Sequence, residues 1–85
     1  VNWEVSPSGR WHVEKRRIDS LRSRQTHLDL LKIDEIAETM KHGEPVPAIA
    51  ISKDGTVLNG HHRLAAAMKV LKQDAIISVL VHEVW

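Results

Sequence analysis

Apolar residues recur along this chain at two spacings, and the switches between them divide it into elements. Ile33, Ile36, Ala37 and Met40 fall at i, i+3, i+4 and i+7, one face of a helix, with Asp34, Glu35 and Glu38 on the wet side. Gly43 follows as a terminator, and Pro45 and Pro47 bar continuation, so the pattern predicts a helix from Leu31 to His42. Leu64, Ala67, Met68 and Leu71 mark a second helix that starts at His61. Lys69 and Lys72 stand near its end, where the helix dipole favours cations. Between the helices, Val46 to Ile51 reads as a short strand. Asp54-Gly55 is a two-residue hairpin signal, Thr56-Val57-Leu58 returns as the partner, and Asn59-Gly60 ends it abruptly. The last run, Ala75 to Val84, is rich in β-branched residues and apolar enough to be an inner strand.

Ahead of the first helix, Ser6-Pro7-Ser8-Gly9 is a turn signal between Trp3-Glu4-Val5 and Trp11-His12-Val13. It predicts an N-terminal hairpin extension over residues 1–13, whose second arm runs through Ile18 to near Leu21. The polar stretch Arg22 to His27 lacks periodicity and reads as a loop. The order is β-β-α-β-β-α-β, which an α+β fold buries as a small mixed sheet covered by two helices. At 85 residues, 42% hydrophobic and 27% charged, residues 1–85 make one globular domain with one modest core. No separate catalytic domain fits beside it. No apolar run approaches the ~18 residues of a membrane span and no secretory pattern opens the chain, so no membrane partner is expected. The absence of cysteine excludes disulfides, thiolate zinc sites and thiol catalysis.

Charge changes the picture through its distribution. The formal net charge is +1, yet Arg10, Lys15, Arg16, Arg17, Arg22 and Arg24 carry half of the 12 cations, against Glu14 and Asp19. Two readings stand side by side. The block is a footprint for polyanions, with Lys15, Arg16, Arg17 and Arg22 tracking a nucleic-acid backbone, or it is a solvated strand edge that discourages aggregation.

The chemistry concentrates at Asn59-Gly60-His61-His62-Arg63. Glycine tolerates a sharp strand-to-helix turn, and the first helical turn offers unpaired N–H groups and a positive dipole end. That is an anion site, to which His61, His62 and Arg63 add side-chain donors. The competing reading is a plain turn with partly buried histidines and Arg63 paired to an acid such as Asp54. No metal site is expected here: adjacent helical histidines point about 100° apart, with no third ligand in view. His12, His27, His42 and His82 are scattered and read as surface or interface residues.

From Arg17 to Val84 the chain resembles the ParB/sulfiredoxin superfamily. The resemblance rests on Ile18-Asp19-Ser20-Leu21, the polar loop, a helix closing at Gly43, the Pro47 to Ile51 strand, Asp54-Gly55 and the Gly60-His61-His62-Arg63 helix start. It implies that Gly60 to Arg63 binds nucleotide or nucleic-acid phosphate. It also implies that Arg24 and Gln25, with His27, face the same pocket. ParB proteins bind cytidine triphosphate and carry a downstream DNA-reading domain, for which this chain has no room. Sulfiredoxins place a cysteine where His61 stands, which excludes sulfinic-acid repair. Free-serine kinases of the superfamily have a similar Gly-His-His-Arg turn and a catalytic carboxylate in the loop, where this chain has none before Asp29.

The remaining branch, small ParB-like nuclease domains, includes terminal toxic parts of bacterial effectors. It implies phosphodiester cleavage with His62 or His61 as acid–base catalyst and Arg63 on the phosphate. It also implies a cytoplasmic site of action, secretion as part of a larger effector, and an inhibitor or immunity protein as partner. The alternatives are an ATP- or ADP-dependent kinase, with magnesium placed by Asp29 or Asp54, and a non-catalytic module binding ATP, ADP or CTP.

Overall fold

The computed structural model describes residues 1–84. Strands β1 (Asn2–Glu4) and β2 (Trp11–Arg17) lead through a 3-10 turn at Ile18–Ser20 to helix α1 (Leu30–Lys41). Then come β3 (Pro45–Pro47), β4 (Ile49–Ile51), β5 (Val57–Asn59), α2 (His61–Val70) and β6 (Ile76–His82). Four strands form a mixed sheet in the order β2-β6-β4-β5, and β1 and β3 form a separate two-stranded ribbon. Among the described residues no helix is long and apolar enough to cross a membrane.

β6 is an inner strand, as its composition predicts. It pairs antiparallel with β2 and parallel with β4, placing Ile77, Val79 and Val81 on one buried face beside Ile49 and Ile51. Against that face pack Ile33, Ala37 and Met40 of α1 and Leu64, Ala66 and Ala67 of α2. Each large side chain fully withdrawn from water there contributes about 1.5–3 kcal/mol. α1 begins and ends one residue ahead of its sequence-based bounds, and α2 begins at His61 as expected. Asp29 caps α1, its carboxylate accepting from the amides of Leu31 and Lys32.

Two expectations are corrected. Residues 1–13 form no hairpin: β1 pairs parallel with β3, matching Trp3 to Val46, while β2 pairs with β6. Ser6 to Gly9 does turn the chain, but Trp3 gains more by packing against the core than a small exposed hairpin offers. The second arm also stops at Arg17 and passes into the 3-10 turn instead of running on as strand to Leu21. The second correction concerns the run Val46 to Ile51, which is two strands. Pro45 and Pro47 lack N–H groups and suit a short edge ribbon, and the Ala48 amide bonds to Glu4 before β4 enters the main sheet.

The Asp54-Gly55 hairpin stands. Gly55 has φ +89°, and a Cβ there would lie 2.7 Å from the Ser20 carbonyl oxygen, so the close approach of the 3-10 turn requires glycine.

Candidate functional site

β5 ends and α2 begins at Gly60, whose φ of +105° is the left-handed conformation that favours glycine. The Leu64 amide makes the first helical bond, to the Gly60 carbonyl, so the amides of His61, His62 and Arg63 lack an intrahelical acceptor. These three residues line a cavity of about 310 Å³ between the start of α2, the side of α1 and β3. Its polar lining is Asn59, Gly60, His61, His62, Arg63, Lys32 and Thr39, and its apolar lining Ile36, Pro45, Val46 and Pro47. Among the described residues no Asp or Glu lines it.

Arg63 is half-buried and tied inward. Its Nη1 donates to the carbonyls of Pro47 at 2.8 Å and Ala48 at 2.9 Å, across the junction of β3 and β4. The sequence-based alternative of an Arg63–Asp54 pair does not form. Burial pulls the guanidinium below its usual pKa, though arginine remains a cation in proteins. With Nη1 engaged, Nη2 and Nε, which lie against Gly60, are the edge left for an anion.

Both histidines meet the loop that precedes α1. The Ser23 hydroxyl lies 2.7 Å from Nδ1 of His61, and the Asp29 amide donates to Nε2 of His62 at 3.0 Å. That loop otherwise stays out of the cleft. Gln25 borders a neighbouring notch with Leu28, His61 and Met68, and its amide donates to the His27 carbonyl. Arg24 and His27 are exposed and line neither space.

Nor does the basic block join the turn in one track. Alternation along β2 puts Arg16 on the face of Ile77 and Lys15 and Arg17 on the other. Arg16 donates to Glu14 at 3.1 Å, and Arg17 grips Asp19 at 3.0 and 2.6 Å. Arg22 lies 3.6 Å from the Asp54 carboxylate and donates to the Asp54 carbonyl. Lys15 borders a separate hollow with Trp3 and Ile76. The Asp54 carboxyl is held down to about 2 by the Ser52 hydroxyl, then by the Thr56 amide, with Arg22 a smaller contributor. Asp54 therefore serves its own turn and does not face the cleft.

Lys32 and Thr39 are cleft residues that sequence reasoning missed. With Ile36 they fall at i, i+4 and i+7, a second stripe on α1 beside the core stripe, and that spacing was the available signal. Among the described residues no three His, Asp or Glu converge as metal ligands.

The fold is ParB/sulfiredoxin-like. A solved Pnob8-like ParB-N domain superposes with a TM-score of 0.67 at 10% sequence identity, over 86% of this chain. This chain covers 30% of that chain's length. No protein-family model and no curated protein matches the sequence.

Proposed function

We propose that the chain is a nucleotide-binding module whose cleft takes phosphates at the start of α2 and the base against its apolar lining. One observation carries this reading: the cavity lining combines donors and cations with aliphatic residues and prolines, and no carboxylate is among it. A phosphate at Gly60 would meet free amides, the positive helix end, Lys32 and the outer edge of Arg63. The resemblance to ParB-type domains favours a triphosphate, CTP or ATP. Magnesium would then arrive on the phosphates, since the cleft offers it no carboxylate.

Nucleic-acid cleavage is the second reading, supported by two imidazoles on the same turn as the phosphate cradle. It draws less from the basic block than the sequence promised, because Arg16, Arg17 and Arg22 each have an acidic partner. A toxin role and an inhibitor partner follow from the resemblance alone.

Calorimetric titration with ATP, ADP, CTP and GTP, with and without magnesium, tests the first reading. Binding that weakens in Lys32→Ala supports it, and four flat titrations sink it. Cleavage of labelled DNA or RNA, lost in His62→Ala, would favour the second reading instead.

A further inference from the structure

We propose that Asp29 is the positioning residue of the cleft, clasping its two helical walls and holding the His62 ring in one tautomer. The proposal rests on the nucleotide-binding reading. Asp29 works in two directions at once. Its backbone N–H donates to Nε2 of His62 on α2 at 3.0 Å, while its carboxylate accepts from the amides of Leu31 and Lys32 on α1 at 3.0 and 3.3 Å. Each arm ends on a residue that lines the cleft, His62 on one wall and Lys32 on the other. Asp29 lies outside that lining.

An amide N–H only donates, so Nε2 of His62 carries the lone pair and the neutral ring's proton sits on Nδ1. Free imidazole side chains favour the opposite arrangement in water, and the loop selects the less common one. Nδ1 has no partner among the described residues, which leaves its N–H as a donor for an anion. The charged and titratable groups that share the cleft lining with the ring are Lys32 from α1 and His61 and Arg63 from its own helix, with Asp29 bonded to it from the loop. β3 and β5 contribute only Pro45, Val46, Pro47 and Asn59.

Two expectations of opposite sign make the test decisive. Removing a negative charge beside an anion site should tighten ATP binding if Asp29 acts only through its field. The clasp demands the reverse: Asp29→Ala weakens ATP binding about tenfold, the scale of losing a helix cap. Asp29→Asn, an equivalent cap, restores it; both variants keep the backbone N–H to His62, so the pair reads the side-chain arm of the clasp. Equal or tighter binding by Asp29→Ala overturns the clasp. A long-range proton–nitrogen NMR spectrum of the wild-type imidazoles decides independently, whether or not Asp29→Ala folds. His62 protonated at Nδ1 with an unprotonated Nε2 supports the proposal, and protonation at Nε2 overturns it. Should wild type bind no nucleotide, the nucleotide reading falls while the ring spectrum still judges the clasp.

Discussion

The basic block holds six cations and the cleft at the start of α2 only Lys32 and Arg63, and the two regions use their charge in opposite ways. In the block, Arg16, Arg17 and Arg22 face Glu14, Asp19 and Asp54, and strand alternation puts Lys15 and Arg17 on the face opposite Arg16. At the start of α2, Lys32, two histidines and Arg63 converge on one concavity that no carboxylate lines. Cation count along a sequence therefore says little about where cations converge. Concavity and the lack of a local counter-charge set that, because an exposed pair in water is worth little while convergent donors in a cleft act together.

The harshest way to strain this contrast is Arg63→Ala. It removes the donor to two backbone carbonyls as well as the anion contact, so unfolding free energy should drop by about 2–4 kcal/mol with nucleotide binding lost. Denaturant melts beside calorimetry would show both, and a native-like melt would mean that Arg63 does not hold the β3–β4 junction. Gly60→Ala comes next. A side chain at φ +105° is strained by about 1–3 kcal/mol, and its Cβ would lie 3.1 Å from Nε of Arg63, so stability and affinity should fall together.

Lys32→Ala should separate the two readouts, weakening ATP by about tenfold while stability moves by less than about 0.5 kcal/mol. The combined variant Arg16→Ala, Arg17→Ala, Arg22→Ala should leave ATP affinity nearly unchanged. A collapse of binding there would erase the contrast between the regions. The smallest effect belongs to Asp54. Its pKa lies below the ordinary carboxylate value, so the ionised group stabilises the fold above about pH 4, and that contribution fades as pH falls toward 2. Acid-unfolding curves of Asp54→Ala should be shallower than wild type across that window.

Much of the fold was legible because it rests on local signals. The Ile33–Met40 stripe, the Gly43 stop and the Asp54-Gly55 turn each act within a few residues, and their elements formed as expected. The pairing of β1 was not legible, since Ser6 to Gly9 encodes a turn but not what the chain meets afterwards. Within the candidate site, Gly60 to Arg63 could be read from backbone chemistry; Lys32 offered only its spacing with Ile36 and Thr39, and the packing of two helices makes that stripe a cleft wall. None of the ion pairs in the basic block was read from the sequence: Glu14–Arg16 and Arg17–Asp19 are i, i+2 neighbours, and Arg22–Asp54 joins distant segments.

The position of β6 bears on how the molecule is made. It is the last strand in sequence, yet it lies between β2 and β4, and within the main sheet β2 has no other neighbour. A ribosome delivers β2 some sixty residues before its partner emerges, at about 5–20 residues per second, and it waits unpaired for several seconds. During that interval the apolar edge Ile49–Ala50–Ile51 is open on one side as well. Synthesis halted before Ile76 would therefore release a chain with two unsatisfied edges, prone to self-association.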